Sequence, residues 1–191
     1  MPRTAIQLYT LRDVDSSLED LLELVAASGF EAVEFAGRET DHDPHDVASM
    51  LSRNGLDAAG AHVGIEELEA DPLAVAERLG CTDVICPGLD PQHFESHEGV
   101  AAAAGRLEAV ADALAETDCT LHYHTHDQEF QAIQGGTAFE GFLAATDVPI
   151  ELDVGHARWA LALAAALVPL QVAFGPLVVA RYSPPVQALH Y

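Results

Sequence analysis

The densest run of reactive side chains lies between residues 122 and 129, where the chain reads HYHTHDQE. Alternate residues of a strand share a face, so His122, His124 and His126 point one way if the strand extends that far. Three imidazoles on one face, with Asp127 and Glu129 following, suit a divalent ion such as Zn²⁺, Mn²⁺ or Co²⁺. The competing reading is that these histidines bond backbone groups and hold a loop. A second group, Glu151, Asp153 and His156, closes a later apolar run. Glu151 and Asp153 share a parity, and a D-x-x-H spacing can give one ion a carboxylate and an imidazole. Asp153 could instead cap the segment that follows. The metal candidates are thus His124, Glu129, Asp153 and His156.

Other polar residues sit in or at the ends of short apolar runs. Glu34 stands between Val33 and Phe35, and a carboxylate among apolar neighbours needs a partner. Arg12 or a substrate hydroxyl would serve, and so would a purely structural ion pair. His62 follows AGA and is a candidate acid, base or hydroxyl binder, or else a satisfied core histidine. Gln7, Tyr9 and Arg12 would line the same mouth and, with His126, contact substrate. His42 and His45 in DHDPHD read as a solvated turn and helix start.

The elements that must position these residues alternate. Strands are expected at Thr4–Tyr9, Glu31–Phe35, Leu56–Val63, Thr82–Cys86, Thr120–His124 and Pro149–Asp153. Helices are expected at Ser17–Ser28, Pro44–Asn54, Asp71–Leu79, Glu98–Glu116 and Thr137–Ala145. Asp15 or Ser16 is the expected cap of the first helix, while Gly29, Gly55 and Gly80 end helices. Such alternation predicts βαβ units and a parallel sheet. No GxGxxG follows the first strand, so a dinucleotide fold lacks its signature. Polar residues at strand ends fit a (β/α)8 TIM-barrel type, which gathers its site there. A complete barrel needs eight units, and about six are legible, so the barrel is incomplete.

Composition narrows the partners. The chain has 31 acids against 8 bases, all Arg, for a net charge of −23. Such a surface repels phosphate, which argues against nucleic acid. Hydrated carboxylates at this density suggest a halophilic protein, kept soluble in concentrated salt where their repulsion is screened. The opening MPRTAIQLYTLRD has Arg and Asp where a leader needs an apolar stretch, and the apolar run 157–168 is too short to span a membrane. Cys81, Cys86 and Cys119 form no CxxC pair and fit reduced cytoplasmic thiols, acting as small core residues. Every acid lies at or before Asp153, so residues 157–191 form an atypical apolar tail beyond a partial barrel of residues 1–156. That tail is a buried segment, an interface, or not the natural continuation of the gene, as after a frameshift.

Five stretches in order, IQLYTLRD, GFEAVEFAG, GAHV, YHTHDQEF and PIELDVG, resemble the xylose isomerase-like TIM barrel family. That family includes sugar (phosphate) isomerases and epimerases, inosose dehydratase-like enzymes and, more distantly, endonuclease IV. The resemblance implies one divalent ion (Mn, Zn, Mg or Co) held by Glu, Asp, His and Glu from the last four strands. Asp153 matches the strand-six Asp, and His124 stands where many relatives have Glu, with Glu129 a few residues on. The strand-seven His and strand-eight Glu have no match in residues 157–191. The implied chemistry is metal-assisted proton transfer next to a carbonyl of a keto-sugar or polyol, with Glu129, Glu34 and His62 as the proton-handling candidates. The alternatives are an inosose dehydratase-like lyase and a non-catalytic fragment or association module. An open barrel exposes strand edges, which invites a homo-oligomer.

Overall fold

The computed structural model describes residues 3–158 and 186–188. Strands β1 (Arg3–Gln7), β2 (Ala32–Phe35), β3 (Asp57–His62), β4 (Asp83–Cys86) and β5 (Thr120–His124) are followed by a small hairpin, β6 (Ala132–Ile133) and β7 (Gly136–Thr137), and then by β8 (Ile150–Glu151). The main sheet runs β8-β5-β4-β3-β2-β1, every pairing parallel. A further strand, β9 (Val186–Ala188), pairs in parallel with the outer edge of β1, inside the segment read from sequence as an atypical tail. From β1 to β8 strand order follows chain order without reversal, and β9 beside β1 takes the place a barrel's last strand would. A doubly wound sheet has a switch point where the order reverses, and a barrel has none. Among the described residues the sheet is therefore a curled, incomplete barrel.

Helices α1 (Leu18–Ala27), α2 (Pro44–Asn54), α3 (Ile65–Ala70), α4 (Pro72–Leu79), α5 (His97–Leu114) and α6 (Ala138–Ala145) form the connections. Their starts are written in the local sequence. Asp43 and Asp71 cap α2 and α4 with Pro at the first helical position, and Thr137 with Glu140 forms a capping box on α6. Gly55 ends α2 at φ +65°, which a side chain rarely tolerates. Helix α1 is capped by Ser17, whose hydroxyl accepts from Asp20 N, and not by Asp15 or Ser16. The acids Glu19 and Asp20 then occupy the first turn, where the helix dipole favours them.

Alternation divides the sheet into two faces. Val33, Phe35, Val84, Cys86, Leu121 and Tyr123 face the helices and are buried in two apolar clusters. One lies under α1 and α2 with Leu18, Leu22 and Leu51; the other lies under α5 and α6 with Leu107 and Phe142. The opposite parity puts Glu34, His62, His122, His124 and Glu151 on the concave face. A bulge in β3 lies beside Glu34: Val33 pairs with Ala58 but Glu34 pairs with Gly60, skipping Ala59.

Gly60 is closely approached on that concave face. A Cβ there would stand 2.5 Å from Ile85 Cδ1 and 3.1 Å from Asp83 O. Gly60→Ala is expected to destabilise the fold by about 1–3 kcal/mol, because Ile85 must leave its rotamer and the Asp83 carbonyl cannot move with it. Urea unfolding of both proteins checks this, and an unchanged midpoint would mean that the sheet opens freely at β3.

Three features depart from the sequence expectation. β1 stops at Gln7, because fully buried Leu8 anchors a 3₁₀ turn (Leu8–Leu11) that carries the chain off the sheet. Helix α3 uses the short apolar pair Ile65 and Leu68, too few residues to show periodicity. β8 spans two residues, so Asp153 lies beyond the strand. Among the described residues no helix is long and apolar enough to cross a membrane.

Candidate functional site

Parallel strands deliver their C-terminal ends to one rim. Gln7 ends β1, His62 ends β3, His124 ends β5, Glu151 ends β8, and Glu34 lies one residue from the end of β2. The Gln7 amide donates to Glu34 Oε1 at 2.5 Å and lies 3.0 Å from His62 Nε2. His62 Nε2 stands 2.9 Å from Glu34 Oε1 and 3.6 Å from Glu151 Oε2. His124 continues the row, with Nδ1 3.4 Å from Glu151 Oε1 and Nε2 3.8 Å from Asp153 Oδ2. Glu34, His124 and Asp153 are buried, at 5%, 5% and 6% exposure, so these charges meet largely away from water.

The carboxylates around His62 set its protonation. Desolvation alone would lower its pKa, but the Glu151 and Glu34 carboxylates override it and hold the imidazole up at about 9. His126 goes the other way, to about 4, through burial and then the charges of His124 and His156. Two rings on one rim with opposed protonation are a mark of functional sites. Burial pushes the Cys81 and Cys86 thiols up to about 12 and about 11, so both are inert thiols and not thiolates.

One donor set fits a divalent ion. Single ligand atoms of His62, His124 and Glu151 all lie within 4.8 Å of one another. Bonds to such an ion are about 2.0–2.2 Å, so its donors stand about 3–4 Å apart, and modest side-chain motion closes the set. Two imidazoles with one carboxylate are a borderline donor group suited to Zn²⁺, Co²⁺ or Mn²⁺.

Of the residues singled out from sequence, Gln7, Glu34, His62, His124 and Asp153 come together. His126 and His156 extend the row outward, with ring centroids 4.9 Å apart and His126 4.9 Å from His124. His156 Nδ1 lies 3.7 Å from Asp127 Oδ1. Asp153 also caps the helical turn over 154–158, its Oδ1 accepting from His156 N at 2.9 Å. Tyr9 and Arg12 pair instead with each other, the guanidinium 4.6 Å above the ring and donating to Tyr9 O. Glu129 is fully buried away from the cluster: Oε1 accepts from the Tyr123 hydroxyl and Oε2 from His126 N. His122 does not join His124 and His126, because β5 ends at His124 and His122, one layer lower, pairs with Asp83 Oδ1 at 2.8 Å. Residues 157 and 158 apart, the C-terminal tail other than β9 lies outside the described residues.

Two carboxylates enter beyond those chosen from sequence. Glu151, whose parity was legible, faces His62 and His124 because β8 registers it directly opposite His124. Glu39, in the loop after β2, has its carboxyl pushed up by burial, opposed in part by backbone N–H groups of its own loop and then by the charges of His62 and Arg78. Its position past a strand end was the one available signal.

A sequentially ordered parallel sheet with its polar residues on the C-terminal rim defines a TIM-barrel-type chain. No family model matches it, and no curated protein matches it by sequence. Solved structures do. A sugar phosphate isomerase/epimerase from Parabacteroides distasonis superposes with a TM-score of 0.73 at 18% identity, covering 84% of this chain and 68% of that one. An AP endonuclease, family 2, from Brucella melitensis gives 0.57 at 19% identity, over 80% of this chain and 68% of the other. A probable 3-DHS dehydratase from Bacillus anthracis gives 0.58 at 13%, over 81% and 64%. A xylose isomerase domain protein from Salmonella typhimurium matches as well, at 0.60. The chain shares the TIM-barrel-type fold of these structures.

Proposed function

We propose that this rim is a divalent-metal site for isomerising or epimerising a keto-sugar or polyol by proton transfer next to a carbonyl. The observation that carries the reading is the convergence of His62, His124 and Glu151 from three strands, with Glu34 2.9 Å from His62. His62, His124 and Glu151 would hold the ion, and Asp153 stands beside His124. When bound, the ion supplies polarisation of a carbonyl and its neighbouring hydroxyl. Glu34, buried and oriented by the Gln7 amide, would be the carboxylate that takes and returns a proton. His126, held neutral, offers one donor and one acceptor to a substrate hydroxyl. Tyr9 and Arg12, paired on the turn after β1, would meet a substrate only at its outer end.

The net charge of −23 with no lysine stands against a nucleic-acid substrate, although one structural neighbour is an endonuclease. The test is direct. The protein is incubated with Co²⁺ and a panel of ketoses and inososes in D₂O, and exchange of the C–H next to the carbonyl is followed by proton NMR. The expected result is exchange that needs the ion and stops with EDTA. Absence of Co²⁺ binding at His62 and His124, with no exchange on any of them, would remove the reading.

A further inference from the structure

Glu129 has no place in the cluster, yet it is fully buried. Burying a carboxylate is costly unless both oxygens are engaged. Here they are: the Tyr123 hydroxyl donates to Oε1 at 2.5 Å, and the His126 backbone N–H donates to Oε2 at 2.8 Å. The two anchors differ in kind. Tyr123 lies within β5 and points into the apolar cluster with Phe94 and Phe142. His126 lies past the strand end, on the turn that leaves it.

We infer that Glu129 is a positioning residue, whose carboxylate staples the last residues of β5 to the turn beyond and so sets where His124 and His126 present their imidazoles. The stapled interval contains His124 and Thr125. Thr125 ties the same turn to the end of β8: its N donates to Glu151 O at 3.1 Å, and its hydroxyl accepts from Asp153 N at 3.1 Å. The imidazole of His126 then rests against Gly88, where a Cβ would stand 3.3 Å from His126 Cε1. A rigid core residue on one side and a backbone donor on the other leave the turn little freedom. Outer contacts of this kind orient ligand imidazoles and commonly change metal affinity about 10- to 100-fold when removed.

The effect on ion affinity rests on the metal reading above; the effect on the imidazoles does not. Glu129→Gln and Tyr123→Phe are compared with Glu108→Gln. Glu108 is a matched control on α5, its Oε1 accepting from the Thr146 hydroxyl and Asp147 N, outside the cluster. Two quantities are read: Co²⁺ affinity with its visible absorption, and the His124 and His126 imidazole signals of the metal-free protein by NMR. Glu129→Gln is expected to weaken Co²⁺ binding about tenfold or more, alter the Co²⁺ spectrum, and shift or double both imidazole signals. Tyr123→Phe should move the same signals by less, and Glu108→Gln should lower the melting temperature while moving neither quantity. Glu129→Gln with wild-type affinity and unshifted imidazoles overturns the proposal. If the wild-type protein binds no Co²⁺, the metal reading falls and the imidazole signals alone decide. If Glu129→Gln does not fold, Tyr123→Phe decides by the same two quantities.

Discussion

Between pH 6 and pH 9 the protein is expected to gain affinity for Co²⁺ about tenfold per pH unit, roughly a thousandfold over the window. The cause is the proton on His62. Glu34 and Glu151 hold that imidazole protonated up to about pH 9, so at neutral pH the Nε2 that faces them carries hydrogen and not a lone pair. An ion entering between His62, His124 and Glu151 must displace it. Each pH unit below 9 makes that displacement about 1.4 kcal/mol harder. Above 9 the imidazole is already neutral and the dependence flattens. Calorimetric titration in buffers of different ionisation enthalpy reads this directly, with one proton released per ion at pH 7 and fewer than half of one above pH 9. A flat affinity from pH 6.5 to 9 would mean that His62 is not a ligand.

The same proton has the opposite effect on the metal-free fold. A group whose folded pKa is raised above its unfolded value of 6.5 stabilises fully below 6.5. That contribution is lost as pH rises through about 9. The metal-free melting temperature should therefore fall over the window in which Co²⁺ binding strengthens, and added Co²⁺ should rescue it most at the alkaline end.

The scaffold was legible where single residues punctuate it. α2 begins at Pro44 and ends before Gly55, and α4 begins at Pro72 after its Asp71 cap, because these residues act within one turn of chain. The site was legible where parity alone decides direction, as for His62 and His124. It failed where direction depends on a partner strand or on a turn. Sequence favours Asp153 over Glu151 of the same parity, and only the pairing of His124 with Glu151 shows which one faces both imidazoles. Glu129 sits five residues after His124 and reads as a ligand, until a 3₁₀ turn (Gln128–Phe130) rotates it into the core. The bulge in β3 beside Glu34 leaves one trace, a glycine at position 60, which sequence alone cannot separate from an ordinary small residue.

Raising KCl from 0.1 M to 2 M is expected to raise the melting temperature by about 10 °C, or about 3 kcal/mol for a chain of this size. The 31 acids face only 8 arginines. Exposed carboxylates crowd single helices, as with Glu19, Asp20 and Glu23 on α1, and with Glu66, Glu67 and Glu69 on α3. The screening length falls from about 10 Å to under about 3 Å over this range, which removes most of that repulsion. Salt also weakens the attractive pairs Arg53–Glu19, Arg78–Glu67 and Arg106–Glu69. Exposed pairs contribute about 0–1 kcal/mol each, too little to offset an excess of 23 negative charges. An unchanged or lower melting temperature in 2 M KCl would mean that local pairing outweighs repulsion and would sink the reading of a salt-adapted surface. The buried cluster should respond differently. The His62, Glu34 and Glu151 side chains are only 11%, 6% and 15% exposed, and buried pairs are screened far less than surface ones. The pH dependence of Co²⁺ binding should therefore persist in 2 M KCl, separating a site built for chemistry from a surface built for its solvent.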